Sequence, residues 1–188
     1  MNDNNSIRKY KIRILTYRSW KERQILKIAI LMFMFPLMST ADRSDDIAQQ
    51  AVQTATTEFV DDIRTTGKIT QDKYDSFLQT ISSTGNSFDV EMQVEILDEN
   101  ANKKTTQASS SKVGENYMYT EYTSQIANQM NNNNGVYKLK EGDIVAVTVK
   151  NTNKTISQVL KNFMYRVTGN GNYNIAAQHS GIVNVNAK

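Results

Sequence analysis

The sequence predicts an α+β protein: an N-terminal membrane helix continues into a long amphipathic helix, followed by a small, about three-stranded sheet with short helices. Three observations predict it. An uncharged apolar run, Ile28 to Met38, lies between a basic leader and a soluble body. From Asp42 onward, apolar residues recur at three- and four-residue spacings, the period of an amphipathic helix. Beyond Gly67, β-type runs and short helical patterns follow one another without a βαβ rhythm, which favours α+β over a parallel sheet. The 188 residues suffice for one domain with a core and an appended element.

The net charge of +3 conceals an asymmetry. Residues 1–27 carry eight Lys/Arg against Asp3 and Glu22, a net +6, whereas the remainder carries 14 Lys/Arg against 17 Asp/Glu, a net −3. A basic flank beside an apolar segment marks the cytoplasmic side and is attracted to anionic lipid. Residues 1–24 therefore read as a basic cytoplasmic segment, 25–41 as an apolar transmembrane or signal-anchor segment, and 42–188 as an extracytoplasmic α+β domain. No second basic patch follows, so a nucleic-acid partner is not expected. Cysteine is absent, which excludes a disulfide framework, thiol chemistry and a Cys-type zinc site.

The membrane segment is built from Ile25, Ile28, Ile30, Leu31, Phe33, Phe35, Pro36 and Met38. Its uncharged part is short beside the roughly 20 apolar residues a spanning helix needs, and it matches the apolar core of a signal peptide. Ser39-x-Ala41 fits the small-x-small pattern before a cleavage site, which falls between Ala41 and Asp42. Retention is argued by Lys27, whose side chain can reach back to the interface, and by Tyr17 and Trp20 at the depth of an aromatic belt. On the residues alone, cleaved signal and retained anchor both stand. Pro36 is expected to kink or end the helix.

In the amphipathic stretch Ile47, Ala48, Ala51, Val52, Ala55, Phe59 and Ile63 form one apolar stripe. Asp42, Asp45 and Asp46 occupy the expected first turn, where the helix dipole favours carboxylates, and Gly67 is the expected C-cap. At 1.5 Å per residue, Asp42 to Thr66 covers about 37 Å, more than a small sheet needs as cover. Ala55 to Ile63 is thus expected to pack on the strands. Ile47, Ala48, Ala51 and Val52 are left as a stripe of small apolar residues open to a partner.

Thr70 is expected to cap a second helix whose inner side holds Tyr74, Phe77, Leu78 and Ile81. Ser83–Asn86 reads as a turn. In Phe88–Leu97, Phe88, Val90, Met92, Val94 and Ile96 alternate with polar, mostly acidic residues, which predicts a strand with one buried and one wet face. Residues 98–116 are polar and aperiodic, a mobile loop. Tyr117, Tyr119 and Tyr122 precede a helix through Ile126 and Met130, and either cover the core's edge or form a partner surface. Lys140–Asp143 is a turn, and Ile144–Asn151, apolar on both faces, is a central strand. Thr155 starts a short helix carrying Ile156, Val159, Leu160, Phe163 and Met164. Gly169–Asn172 breaks it, and a last strand runs from Tyr173 to Val185.

Catalytic patterns are missing. His179 is the only histidine, and no Gly-x-Ser-x-Gly elbow, P-loop or dinucleotide loop occurs. The adjacent pairs Asp45–Asp46 and Asp61–Asp62 diverge on a helix and do not face each other as a catalytic pair must. No catalytic residue, metal, cofactor or small-molecule substrate is expected.

One segment carries a family resemblance: TEFVDDIRTTGKITQDKYDSFLQTISSTGNSFDVEMQ, Thr57 to Gln93. It resembles small membrane-anchored, pseudopilin-like proteins of Gram-positive bacteria, encoded with tight-adherence (Flp-type) pilus machinery and related to TadE-like minor pilins. The order from Lys140 to Val185 is also similar. The resemblance implies an anchored, non-enzymatic protein with its N-terminus in the cytoplasm and its domain outside the cell membrane. It would contact other pilus or envelope proteins through helix 42–66. The chain has no glycine before Gly67, so prepilin-type cleavage after a glycine is not expected. The alternative is a secreted or wall-associated binding or adhesion domain released after Ala41.

Overall fold

The apolar run and the amphipathic stripe lie on one helix, α1 (Asp3–Thr66). The structure, a computed structural model, describes residues 3–98, 117–165 and 175–187. After α1 come β1 (Lys68–Thr70), α2 (Gln71–Ser82), β2 (Phe88–Asp98), β3 (Tyr117–Tyr122), α3 (Thr123–Asn132), β4 (Val136–Lys138), β5 (Ile144–Asn151), α4 (Ile156–Tyr165) and β6 (Ala176–Ile182). The chain divides into two units, residues 1–44 with 156–171 and residues 45–155 with 172–188. The first unit holds the early part of α1 together with α4; the second holds the sheets and the core.

The second unit contains a four-stranded antiparallel sheet in the order β3-β2-β5-β6 and a two-stranded ribbon, β1-β4. Alternation in β2 puts Met92 and Val94 in the core and leaves Glu91, Gln93 and Glu95 exposed. Met92 pairs with Val147 and Val94 with Val145, so apolar side chains meet across the strands on the inner face. β5 is interior to the sheet, as its apolar run predicts. Two of the expected outlines change here. The sheet has four strands rather than about three, because Tyr117–Tyr122 is a strand paired with β2 and not a lead-in to a helix. The ribbon of three-residue strands is additional; it buries Ile69 and Tyr137 opposite each other.

The later part of α1 supplies one side of the core. Ala48, Val52, Ala55, Phe59, Val60 and Ile63 are buried at helical spacing, and the Phe59 ring stacks on Phe77 of α2 with centroids 4.6 Å apart. Thr56 is buried in the same stripe, and its hydroxyl donates to the Val52 carbonyl at 2.7 Å. Gly67 ends the helix. Its φ of +67° is in the left-handed region, and its N–H donates to Ile63 O. A Cβ there would lie 2.5 Å from the Val185 carbonyl oxygen.

Other boundaries shift for local reasons. Thr70 stands in extended conformation at the N-cap of α2, but its side chain makes no capping bond. Thr70 is held in β1, and the N–H of Gln71 donates to Gly135 O instead. At α3 the Gln125 side chain accepts from the Tyr122 N–H at 2.9 Å, one half of a capping box. β6 covers Ala176–Ile182 and stops short of the expected end at Val185; residues 173–174, the Gly169–Asn172 break and residues 99–116 of the expected loop lie outside the described residues, while Asp98 belongs to β2.

The sheet's β6 edge is covered by α1. The Gln49 side chain donates through Nε2 to Ala176 O at 2.6 Å, and its Oε1 accepts the Ala176 N–H at 3.0 Å. Fifteen residues on, Arg64 Nε donates to Ile182 O at 3.0 Å, passing over Gly181, where a Cβ would fall 2.4 Å from Arg64 Nε. One side chain at each end thus occupies backbone groups that an open edge would present to another chain.

Candidate functional site

The strongest functional feature is the bare apolar part of α1. Ile25, Ile28, Ile30, Leu31, Phe33, Phe35 and Pro36 are exposed, and Met38 is half-buried. In the most apolar 18-residue window of this helix, mean hydropathy 1.6, no residue is buried. Burying one such side chain is worth about 1.5–3 kcal/mol, so water is a poor solvent for this row and hydrocarbon a good one. Among the described residues there is thus one helix, near the N-terminus, that is long and apolar enough to cross a membrane.

Pro36 lies inside this helix and does not end it. A proline removes one N–H, which leaves the carbonyl four residues earlier without its helical donor. Helix propagation on both sides outlasts the loss of a single bond. Thr40 Oγ1 donates to the Pro36 carbonyl at 2.9 Å, one turn further on.

The helix also continues through the expected membrane exit. The candidate cleavage pair, Ala41 and Asp42, sits mid-helix with both side chains half-buried. Asp42, Asp45 and Asp46 are consequently not in a first turn, and no helix N-terminus lies there for them to stabilise. Two of these carboxylates have other work. In the first unit, Asp42 accepts from the Ser157 hydroxyl and from Lys161 Nζ, the latter at 2.6 Å. Burial pushes the Asp42 pKa up, but the Lys161 and Ser157 hydrogen bonds and the Lys161 charge outweigh it and hold the carboxyl below its ordinary value. In the second unit, the buried Asp45 accepts from Thr155 Oγ1 at 2.6 Å. Ser157 and Lys161 were invisible as partners in the sequence. The available signal was their four-residue spacing, which puts a donor and a cation on one helix face.

The expected partner stripe divides. Ala48 and Val52 are covered by the chain's own core, whereas Ile47 and Ala51 are exposed. At 100° per residue, positions 48 and 52 continue the line of Ala55 and Phe59, and 47 and 51 fall on the flank. Only Ile47 and Ala51 remain open to a partner.

Elsewhere the described residues offer little chemistry. His179 lies on β6 with Nε2 3.7 Å from Asp61 Oδ1, beyond hydrogen-bond reach. A shallow groove of about 230 Å³ between α1 and α2 is lined by Phe59 and Phe77 and by the Lys73–Asp62 ion pair, among others. Among the described residues, no group of three His, Cys, Asp or Glu is placed to hold a metal. Compared with protein-family models, curated proteins and solved structures, the chain matches none.

Proposed function

We propose that this protein is a non-enzymatic, single-pass, pseudopilin-like component of a pilus or secretion assembly, anchored in the cell membrane with its N-terminus in the cytoplasm. The observation that carries the reading is the division of labour along α1: residues 25–38 present uncovered apolar side chains, and residues 48–63 build the core of an antiparallel α+β unit. The net +6 of residues 1–27 supports a cytoplasmic N-terminus. The resemblance of Thr57–Gln93 to TadE-like proteins supports the pilus or secretion setting, with Ile47 and Ala51 as the remaining contact for a neighbouring subunit.

The test is the N-terminal sequence and mass of the mature protein taken from the membrane fraction of its own cells. An intact leader, with the protein resisting alkaline extraction, is the expected result. A mature chain starting at Asp42 in the culture medium overturns the anchor and favours the released binding domain, a reading that rests on Ser39-x-Ala41 and on the short uncharged run.

A further inference from the structure

α4 has two faces with different chemistry. Ser157 and Lys161 share one face and are tied to Asp42. Ile156 and Val159, three residues apart, share another, and they are 76% and 54% exposed. Neither side chain is buried, although α4 is short and amphipathic and its opposite face is hydrogen-bonded.

The position of the tether says what covers this face. Asp42 lies four residues beyond Met38, the last residue of the apolar run, and so about 6 Å further along a helix rising 1.5 Å per residue. Each headgroup zone of a bilayer is about 5–7 Å thick, the difference between a 30 Å hydrocarbon core and a total of 40–45 Å. With Met38, where the apolar run ends, at the outer boundary of the hydrocarbon, Asp42 falls in the headgroup zone, and the Ser157 and Lys161 bonds hold α4 at that depth. A helix at this level with an apolar face and a polar face has the amphipathic character of an interfacial helix, whose apolar side sinks into the headgroup and acyl boundary.

We propose that α4 is a second membrane contact: an interfacial helix that rests Ile156 and Val159 on the lipid surface and is pinned to α1 through Asp42. The proposal rests on the anchor reading above. It gives Asp42 a role that neither a spacer nor a cleavage site has, since the carboxylate couples the spanning helix to the surface helix.

The full-length, naturally cysteine-free chain provides the test. Single variants I156C and V159C are labelled with an environment-sensitive fluorophore and reconstituted into vesicles of phosphatidylcholine and phosphatidylglycerol. N162C, at an exposed polar position of α4, is the control, and M32C reports the anchor. The expected result is blue-shifted emission at 156 and 159 relative to 162, with quenching by lipid carrying a nitroxide near the headgroup. Label at position 32 is then quenched by a nitroxide deep in the acyl chain. Water-like emission at 156 and 159 with deep quenching at 32 overturns the proposal and leaves the anchor intact. A blue shift at 156 and 159 without lipid quenching also overturns it, because protein, such as a second copy, then covers the face. Absence of quenching at 32 removes the anchor reading and this proposal together.

Discussion

Asp42 is conspicuous in the sequence for its position, and the structure adds a second property to it. Its place after an apolar run suggests a helix start or a cleavage site, and the structure instead gives it a serine and a lysine. Its folded pKa is below the ordinary value of about 3.9. A depressed carboxylate contributes stability that is fully present above the unfolded pKa and is lost as pH falls through the lower folded value. The attachment of α4 should therefore be constant from neutral pH to about 4 and weaken in stronger acid. The Asp42 side chain is 37% exposed, so solvent screens the pair and its contribution stays under about 1 kcal/mol. Hydrogen exchange of residues 156–165, corrected for intrinsic rates, measures the effect. Protection should drop below about pH 4 in the natural protein, the pKa range of an ordinary aspartate, and be low and pH-independent over this range in Asp42→Asn. Equal protection in both proteins means the bond does not hold the helix.

Among the elements, those with their own periodicity were legible: the later part of α1, α2, β2, β5 and α4. Each carries apolar residues at a spacing of two or of three to four, and burial follows that spacing in all but α4, where Ile156 and Val159 are exposed and Ser157 is buried. The missed elements lack such a signal. β1 and β4 have three residues each and exist because Ile69 and Tyr137 pair over the core, a tertiary contact no local pattern encodes. β3 offered a signal, Tyr-Met-Tyr-Thr-Glu-Tyr, rich in strand-favouring aromatic and β-branched residues, but its inward side chains are Tyr119 and Glu121. Glu121 is satisfied by Gln129 and by the hydroxyl of Tyr137, each at 2.8 Å, so a polar residue sits where alternation leads one to look for an apolar one. The chain break between α1 and β1 was legible at Gly67 for a reason that can be tested. Gly67 and Gly85 both have positive φ, +67° and +80°, yet only Gly67 has atoms close to where a Cβ would be. Gly85→Ala should cost about 1–2 kcal/mol, the penalty of left-handed backbone. Gly67→Ala should cost clearly more in urea unfolding, because backbone atoms of Val185 and Ala187 must also move. Equal losses would mean that the 183–187 segment yields freely.

At the scale of the whole molecule, the exposed apolar run and the buried core occupy different stretches of the sequence. The bare apolar run ends at Met38, and among the described residues every buried hydrophobic side chain of the core comes after it, from Ala48 onward. A chain cut between the two keeps every described residue of the buried core. Residues 42–188 keep Asp42, Asp45 and Gln49 and therefore the hydrogen bonds to Ser157, Thr155 and Ala176 as well. They also carry an acidic excess of three charges, which favours solubility. The expected outcome for residues 42–188 expressed alone is a soluble protein with a single cooperative unfolding transition and circular dichroism of mixed helix and sheet. Removing about three further turns tests the same logic from the other side. A chain starting at Gln53 loses Ala48, Gln49 and Val52, uncovering part of the core and releasing the Ala176 end of β6. Deleting a buried valine side chain forfeits on the order of 1.5–3 kcal/mol, a large fraction of the 5–15 kcal/mol that holds a typical domain. The Gln53 chain should unfold at markedly lower urea than the Asp42 chain. Matching midpoints would show that the first three turns of the later helix contribute nothing to the fold, and that their burial is incidental to an assembly role.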